Sequence, residues 1–197
     1  MKEKLLGNLK KGLAVVLSAP AGTGKTTLIQ MLKNEFDCVI PSISFTSRPP
    51  RPNEVDGRDY NFITEDQFKQ KIEEGEFLEY VELYGFYYGT SKRWVEEKLD
   101  QGKHVFLVID TQGAKQLRGH FPAIFIFLKP PSLEELKSRL SNRKTETFEM
   151  LEKRLNWAVK EMEAVKYYDY LVMNDDLTIA YQVLRSILIA EERKLRY

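Results

Sequence analysis

Apolar residues in this chain gather into short unbroken runs at residues 13–17, 104–109, 123–128 and 170–173. Runs of this length without polar alternation predict strands covered on both faces, as in a parallel sheet. Between them, apolar positions recur at helical spacing over residues 26–36, 112–118, 132–141 and 177–193. Pro130 and Pro131 close the third run, and Ser132 with Glu135 three positions on is a capping-box signature. Strand and helix alternate, which predicts an α/β fold whose mainly parallel sheet is flanked by helices.

Two stretches break the rhythm. Residues 37–100 carry Pro, Arg and Gly clusters, then Tyr60-Asn61-Phe62-Ile63, a helical pattern over 64–74 and a strand pattern over 77–83. They read as a small α+β lobe inserted into a core formed by 1–36, 101–142 and 166–197. Residues 143–165 are dense in charge around a helical pattern and read as a helical lid. No internal repeat or low-complexity segment is present.

Lys plus Arg number 30 and Asp plus Glu 29, a net charge of +1. Such a chain has no global field to draw it to nucleic acid or to a membrane. Any anion site must be built locally from placed arginines and backbone amides. Cys38 is the only cysteine, which excludes an intrachain disulfide and a cysteine zinc site. No apolar run reaches signal-peptide or membrane-span length, so a reduced, cytoplasmic setting is expected. Nothing indicates an obligate protein partner.

The first strand runs into Ser18-Ala19-Pro20-Ala21-Gly22-Thr23-Gly24-Lys25-Thr26-Thr27. This fits the phosphate-binding pattern G-x-x-x-x-G-K-[ST], with Ala19 in place of the first glycine. Gly22 and Gly24 let the loop turn its amides inward, and the helix beginning near Lys25 points its N-terminus at the same anion. Lys25 is expected on the β- and γ-phosphates of ATP, and the Thr26 hydroxyl on Mg²⁺. The plainer alternative is a glycine-rich turn with a solvated lysine. The loop alone does not separate a GTPase, an ATPase and a small-molecule kinase.

Beyond the loop come Ser42-Ile43-Ser44-Phe45-Thr46-Ser47-Arg48-Pro49-Pro50-Arg51-Pro52, then Gly57-Arg58-Asp59-Tyr60-Asn61-Phe62, Gly75-Glu76-Phe77-Leu78-Glu79 and Tyr87-Tyr88-Gly89-Thr90-Ser91. In type, order and spacing these resemble the GMP-binding lobe of the guanylate kinases, and the resemblance extends from the loop to Asn174-Asp175-Asp176. It implies a P-loop NTPase fold and transfer of the γ-phosphoryl group of ATP to GMP, possible also with dGMP, in purine nucleotide metabolism. The forked guanidinium groups of Arg48 and Arg51, with the phenols of Tyr60 and Tyr88, suit a dianionic monophosphate. Guanine presents N1–H and N2–H₂ side by side, and Glu79 stands at the matching position to accept both. Ser44 and Thr90 hydroxyls are expected on O6 or N7. Adenine has an acceptor at N1, and each buried polar group left unpaired costs about 1–3 kcal/mol. The plainer readings are solvated arginines, packed tyrosines and an outward-facing Glu79.

Residues 106–113 resemble the family's strand-end acid motif, which commonly has two acids one residue apart. Here Val108 holds the first position and Asp110 the second, the one implied to face guanine. Asp110 is equally placed to cap the helix that follows. Arg139, Arg143 and Arg154 match the lid arginines, implied to surround the moving phosphoryl group on closure. Arg139 and Arg143 are also placed to sandwich adenine, and Asn174 to bond its edge. Lys144 stands where a glycine is common. Trp94, Trp157 and the aromatics of Tyr167-Tyr168-Asp169-Tyr170 read as packing. Two rivals stay open: a scaffold-type binding module without turnover, and a kinase for another monophosphate.

Overall fold

The computed structural model describes residues 3–141 and 148–195. Strand β1 (Ala14–Ser18) passes through the glycine loop into α1 (Lys25–Glu35), followed by β2 (Val39–Pro41). Then come β3 (Phe45–Thr46), β4 (Asn61–Phe62), α2 (Glu65–Glu73), β5 (Phe77–Leu83) and β6 (Phe86–Ser91). The chain continues through α3 (Lys92–Asp100), β7 (His104–Leu107), α4 (Thr111–Leu117), β8 (Ile124–Lys129) and α5 (Leu133–Ser141). After it come α6 (Phe148–Glu163), a 3-10 turn at Ala164–Tyr167, β9 (Tyr170–Met173) and α7 (Leu177–Arg193).

Five strands form an all-parallel sheet in the order β2-β7-β1-β8-β9. The unbroken apolar run of β1 has its cause here. Val15 and Leu17 pack with Leu28 and Leu32 of α1 and Leu184 and Leu188 of α7. Ala14 and Val16 pack on the opposite face with Val95 and Leu99 of α3 and Leu117 of α4. With helices on both faces, β1 stays apolar from Ala14 to Leu17, and the buried Ser18 at its end donates to the Asp110 carbonyl at 3.5 Å. The second sheet runs β4-β3-β6-β5, with β6 antiparallel to both its neighbours. Its core is aromatic: Phe68 of α2 stacks on Phe77 at 4.5 Å and on Tyr87 at 5.3 Å.

Two segments assigned from sequence to the inserted lobe belong to the core. β2 is the edge strand of the parallel sheet, and α3 buries Val95 and Leu99 against it. A three-residue strand ending in Pro41 leaves no periodic trace, and proline is tolerated there because the strand is an edge. The helix starts follow local chemistry. Thr64 and Gln67 form a full capping box at α2. At α5 only half the expected box forms: Ser132 accepts from the Glu135 amide at 3.0 Å, while the Glu135 carboxylate accepts from Arg139.

The N-terminal segment is fastened by one buried acid on α7. The Glu192 carboxylate accepts from the amides of Gly7 (2.6 Å) and Asn8 (3.0 Å) and from the Asn8 side chain (2.8 Å). It also pairs with Nε2 of the fully buried His104 at 2.6 Å, and Nδ1 of that ring accepts from the Leu13 amide at 2.9 Å. Burial holds the His104 pKa below its ordinary value. Burial alone would raise Glu192, but its hydrogen bonds hold it below the usual carboxylate range. Among the described residues, no helix is long and apolar enough to cross a membrane.

Candidate active site

The carboxyl ends of β1 and β7 open on a cleft of about 330 Å³ between the parallel sheet, the second sheet and α6. Crevices at strand carboxyl ends are where open α/β sheets take ligands. The floor is the β1–α1 loop. Gly22 and Gly24 have φ of 87° and 98°, in the left-handed region open to glycine. A Cβ on Gly24 would also lie 2.6 Å from Asn174 Nδ2. That close approach exists because Asn174 donates to the Thr23 carbonyl at 2.6 Å. Lys25 Nζ donates to the carbonyl of Ala19 at 2.5 Å and that of Pro20 at 3.4 Å. Ala19, Ala21, Lys25 and Thr26 line the cleft.

Ser44, Arg51, Tyr60, Glu79 and Tyr88 line the side formed by the second sheet. Glu79 is 3% exposed and accepts from the Thr90 hydroxyl at 2.6 Å. Burial pushes its pKa up to about 7; the Thr90 bond opposes this and the nearby Asp110 adds to it. The site demands Gly113, because a Cβ there would sit 2.4 Å from Glu79 Oε2. Gln116 fixes the position of the strand by exchanging two hydrogen bonds with the Tyr80 backbone. Asp110 does two things at once. It lines the cleft, and its Oδ1 accepts from the Gly113 amide at 2.8 Å to cap α4. Burial raises its pKa, against the pull of Gly113, Gln112 and Lys25. Val108 contributes an apolar wall at the position of the missing acid.

Four expected contact residues are placed behind the cleft lining. Arg48 is buried, forks onto both oxygens of Glu54 at 2.9 Å, and lies over the Tyr60 ring at 5.5 Å. Its guanidinium is thereby committed to a carboxylate that the sequence reading passed over. Thr90 directs its hydroxyl at Glu79, so it orients the acid instead of facing the cleft. Arg139 bonds Glu135 at 2.8 Å and the Asn174 carbonyl at 3.1 Å. The Asn174 amide donates to the Thr23 carbonyl and so holds the phosphate loop. Arg143 and Lys144 lie outside the described residues. Arg154 lines the cleft.

The α6 wall also brings in Trp157 and Glu161. Trp157 packs its ring edge-on against Tyr84, at the β5–β6 turn, with centroids 6.5 Å apart. Trp94 packs in the core beside α4, and Tyr168 against Phe125 and Phe127. Glu161 is 5% exposed. Burial pushes its pKa up to about 7, with Lys25 opposing and Asp110 reinforcing the rise. Arg154, Trp157 and Glu161 are spaced three and four apart, which puts them on one helix face and was readable in the sequence.

A sequence model of the guanylate kinase family matches residues 11–191. The guanylate kinase of Protochlamydia amoebophila is 60% identical over 189 residues, covering 96% of each chain. That of Chlamydia trachomatis serovar D is 49% identical over 183 residues, covering 92% of this chain and 89% of the relative. The crystal structure of guanylate kinase from Anaplasma phagocytophilum superposes with a TM-score of 0.76 at 32% identity, over 93% of this chain and 88% of that one. With its phosphate loop, buried Glu79 and lining tyrosines in one cleft, this chain belongs to the guanylate kinase family.

Proposed function

We propose that the cleft is where this guanylate kinase moves the γ-phosphoryl group of ATP onto GMP, giving ADP and GDP, and that its two ends divide the substrates. The observation that carries the division is Glu79, a buried carboxylate oriented by Thr90 and reached from the same cleft as Lys25. Two adjacent N–H groups of guanine would satisfy it. Adenine would oppose a lone pair to it, leaving buried polar groups unpaired. Ser44 and Asp110 border the same base site, and Arg51, Tyr60 and Tyr88 the GMP phosphate. Arg48 acts through Glu54 and Tyr60, holding the wall against which that phosphate lies.

The polyphosphate of ATP would lie on residues 19–27, with loop amides and the start of α1 facing it. Lys25 exchanges its carbonyl partners for the β- and γ-phosphates. Arg154 supplies positive charge from α6, and Arg139 and Arg143 are the remaining candidates to do so. No side-chain base is required, since the acceptor phosphate is already ionised near neutral pH. The chain's contribution is positioning and charge in a water-poor cleft.

The donors suit Mg²⁺ arriving on the nucleotide. Among the described residues no cluster of three or more acids and histidines forms a cage by itself. The cleft instead offers hard oxygens, the Thr26 hydroxyl and the Asp110 and Glu161 carboxylates. Mg²⁺ is ordinarily held by such few protein oxygens together with substrate phosphates. Thr26 would be the direct ligand. Bound there, the ion neutralises charge on the phosphate oxygens.

The deciding experiment is a coupled assay of ADP release with ATP·Mg²⁺ and GMP, dGMP, AMP, UMP or CMP. Release that depends on GMP and is much weaker with AMP is expected. Release with another monophosphate would discard the base contacts, and GMP binding without ADP release would make the chain a binding module.

A further inference from the structure

Of the cleft's hard oxygens, the Glu161 carboxylate is the one carried by α6. It reaches the cleft from α6, far in sequence from the phosphate loop, while Leu155 and Ala158 on the same helix pack back toward Leu136 and Leu140 of α5. Its position is therefore set by a packed helix. The residue is 5% exposed, and no hydrogen bond from a described residue contributes to its charge state; it feels Lys25 and Asp110 through space. Burial penalises the charged carboxylate, and an apolar residue of similar size would fill the same volume without that cost. Its neighbour Asp110 is already engaged in capping α4, and Lys25 bonds the Ala19 and Pro20 carbonyls. The cleft thus carries acidic charge beside the loop that is to receive a polyphosphate.

We propose that Glu161 is a positioning residue that makes nucleotide binding depend on the divalent cation. The argument rests on the assignment of the polyphosphate to residues 19–27. A metal-free polyphosphate brings several negative charges into a narrow space already holding Glu161 and Asp110, and is repelled. A metal-loaded one would bring a hydrated cation, to which the Glu161 carboxylate on α6 would offer a negative charge and a hydrogen-bond acceptor. The same side chain therefore penalises free ATP and favours ATP·Mg²⁺. Because α6 also carries Arg154 and Trp157 on that face, seating the loaded nucleotide would also fix the helix that supplies the transferring charge.

The test is calorimetric titration at pH 8.5, where Glu161 is ionised, of ATP with excess Mg²⁺, and of ATP in EDTA, into the unaltered protein and into Glu161→Gln. The quantity read is the ratio of the two dissociation constants, metal-free over metal-loaded. It is expected to fall by about tenfold in Glu161→Gln, the change produced by one unit charge near the phosphates. Free ATP binds more tightly and ATP·Mg²⁺ less tightly. Glu161→Asp, which keeps the charge, is expected to retain most of the ratio. A merely structural role would move both constants in the same direction; an unchanged ratio in Glu161→Gln overturns the proposal and leaves the kinase assignment standing. Failure of the unaltered protein to bind ATP in either form overturns the assignment of the loop as well.

Discussion

Moving from pH 8 to pH 6 is expected to weaken GMP binding by about tenfold through Glu79 alone. Guanine needs the ionised carboxylate, which accepts both of its N–H donors. Glu79 has a pKa of about 7, set first by burial and reinforced by Asp110. Roughly nine-tenths of it is ionised at pH 8 and one-tenth at pH 6, so affinity follows that fraction. At pH 7 each GMP bound should release about half a proton. Calorimetry in two buffers of different ionisation enthalpy reads that proton directly. The GMP phosphate titrates in the same range, so Glu79→Gln is the necessary control: it keeps the phosphate's contribution and removes the carboxylate's. The sign for stability runs the other way. An acid whose folded pKa is raised carries no penalty below its unfolded value of 4.5, and one that grows as pH rises toward 7. Its full size is about 3 kcal/mol above pH 7, and Glu79→Gln should recover part of it in the empty protein. Equal pH dependence of GMP binding in the two proteins would refute the reasoning.

Three further outcomes are expected. Lys25→Ala abolishes transfer while its circular dichroism and melting temperature stay near the original; normal turnover by that folded variant would sink the mechanism. Gly113→Ala forces a methyl group against Glu79 Oε2, 2.4 Å away, and should raise KM for GMP at least tenfold with little change for ATP. His104 is held neutral with both ring nitrogens engaged, and Glu192 is held ionised. Both pKa values are depressed, so stability is lost as pH falls below 6.5 for the histidine and below 4.5 for the acid. Glu192→Gln should cost about 2 kcal/mol near neutrality, read by thermal melts at pH 7.5 and pH 5. Equal melting temperatures for Glu192→Gln and the unaltered protein at pH 7.5 would contradict this; the comparison between the two proteins sets aside the opposite pH trend contributed by Glu79 and Glu161.

The parts legible in the sequence were those whose signal is local. The runs that became β1, β7 and β8 are apolar because both sheet faces are covered there, whereas the edge strand β9 leaves Leu171 and Met173 exposed; the phosphate loop announces itself through Gly22, Gly24 and Lys25. β2 was hidden by its brevity, and α3 by its nearness to the inserted lobe. At the site, residue types were easier to read than partners. Arg48 looked like a ligand contact because a guanidinium suits phosphate, but Glu54, six positions on, suits it equally. Thr90 and Asn174 carry groups that can face a base, and nothing in their neighbourhood reveals that Glu79 and Thr23 engage them. Glu161 was lost among the many charges of its helix, although its spacing from Arg154 and Trp157 put it on their face.

The strand order β2-β7-β1-β8-β9 also dictates when this protein can become itself. β1 leads the chain yet lies at the centre of the sheet, so Ala14 must wait for Val105 and Val15 for Ile124. All four strands of the second sheet fall between residues 45 and 91 and can pair meanwhile. A growing chain therefore carries its most apolar strand without neighbours through more than half of synthesis, the condition under which parallel pairing is slow and exposed edges invite association. The loop that will hold the phosphates is written first and shaped late. A nascent chain that has not yet reached β8 has a finished second sheet but no nucleotide site.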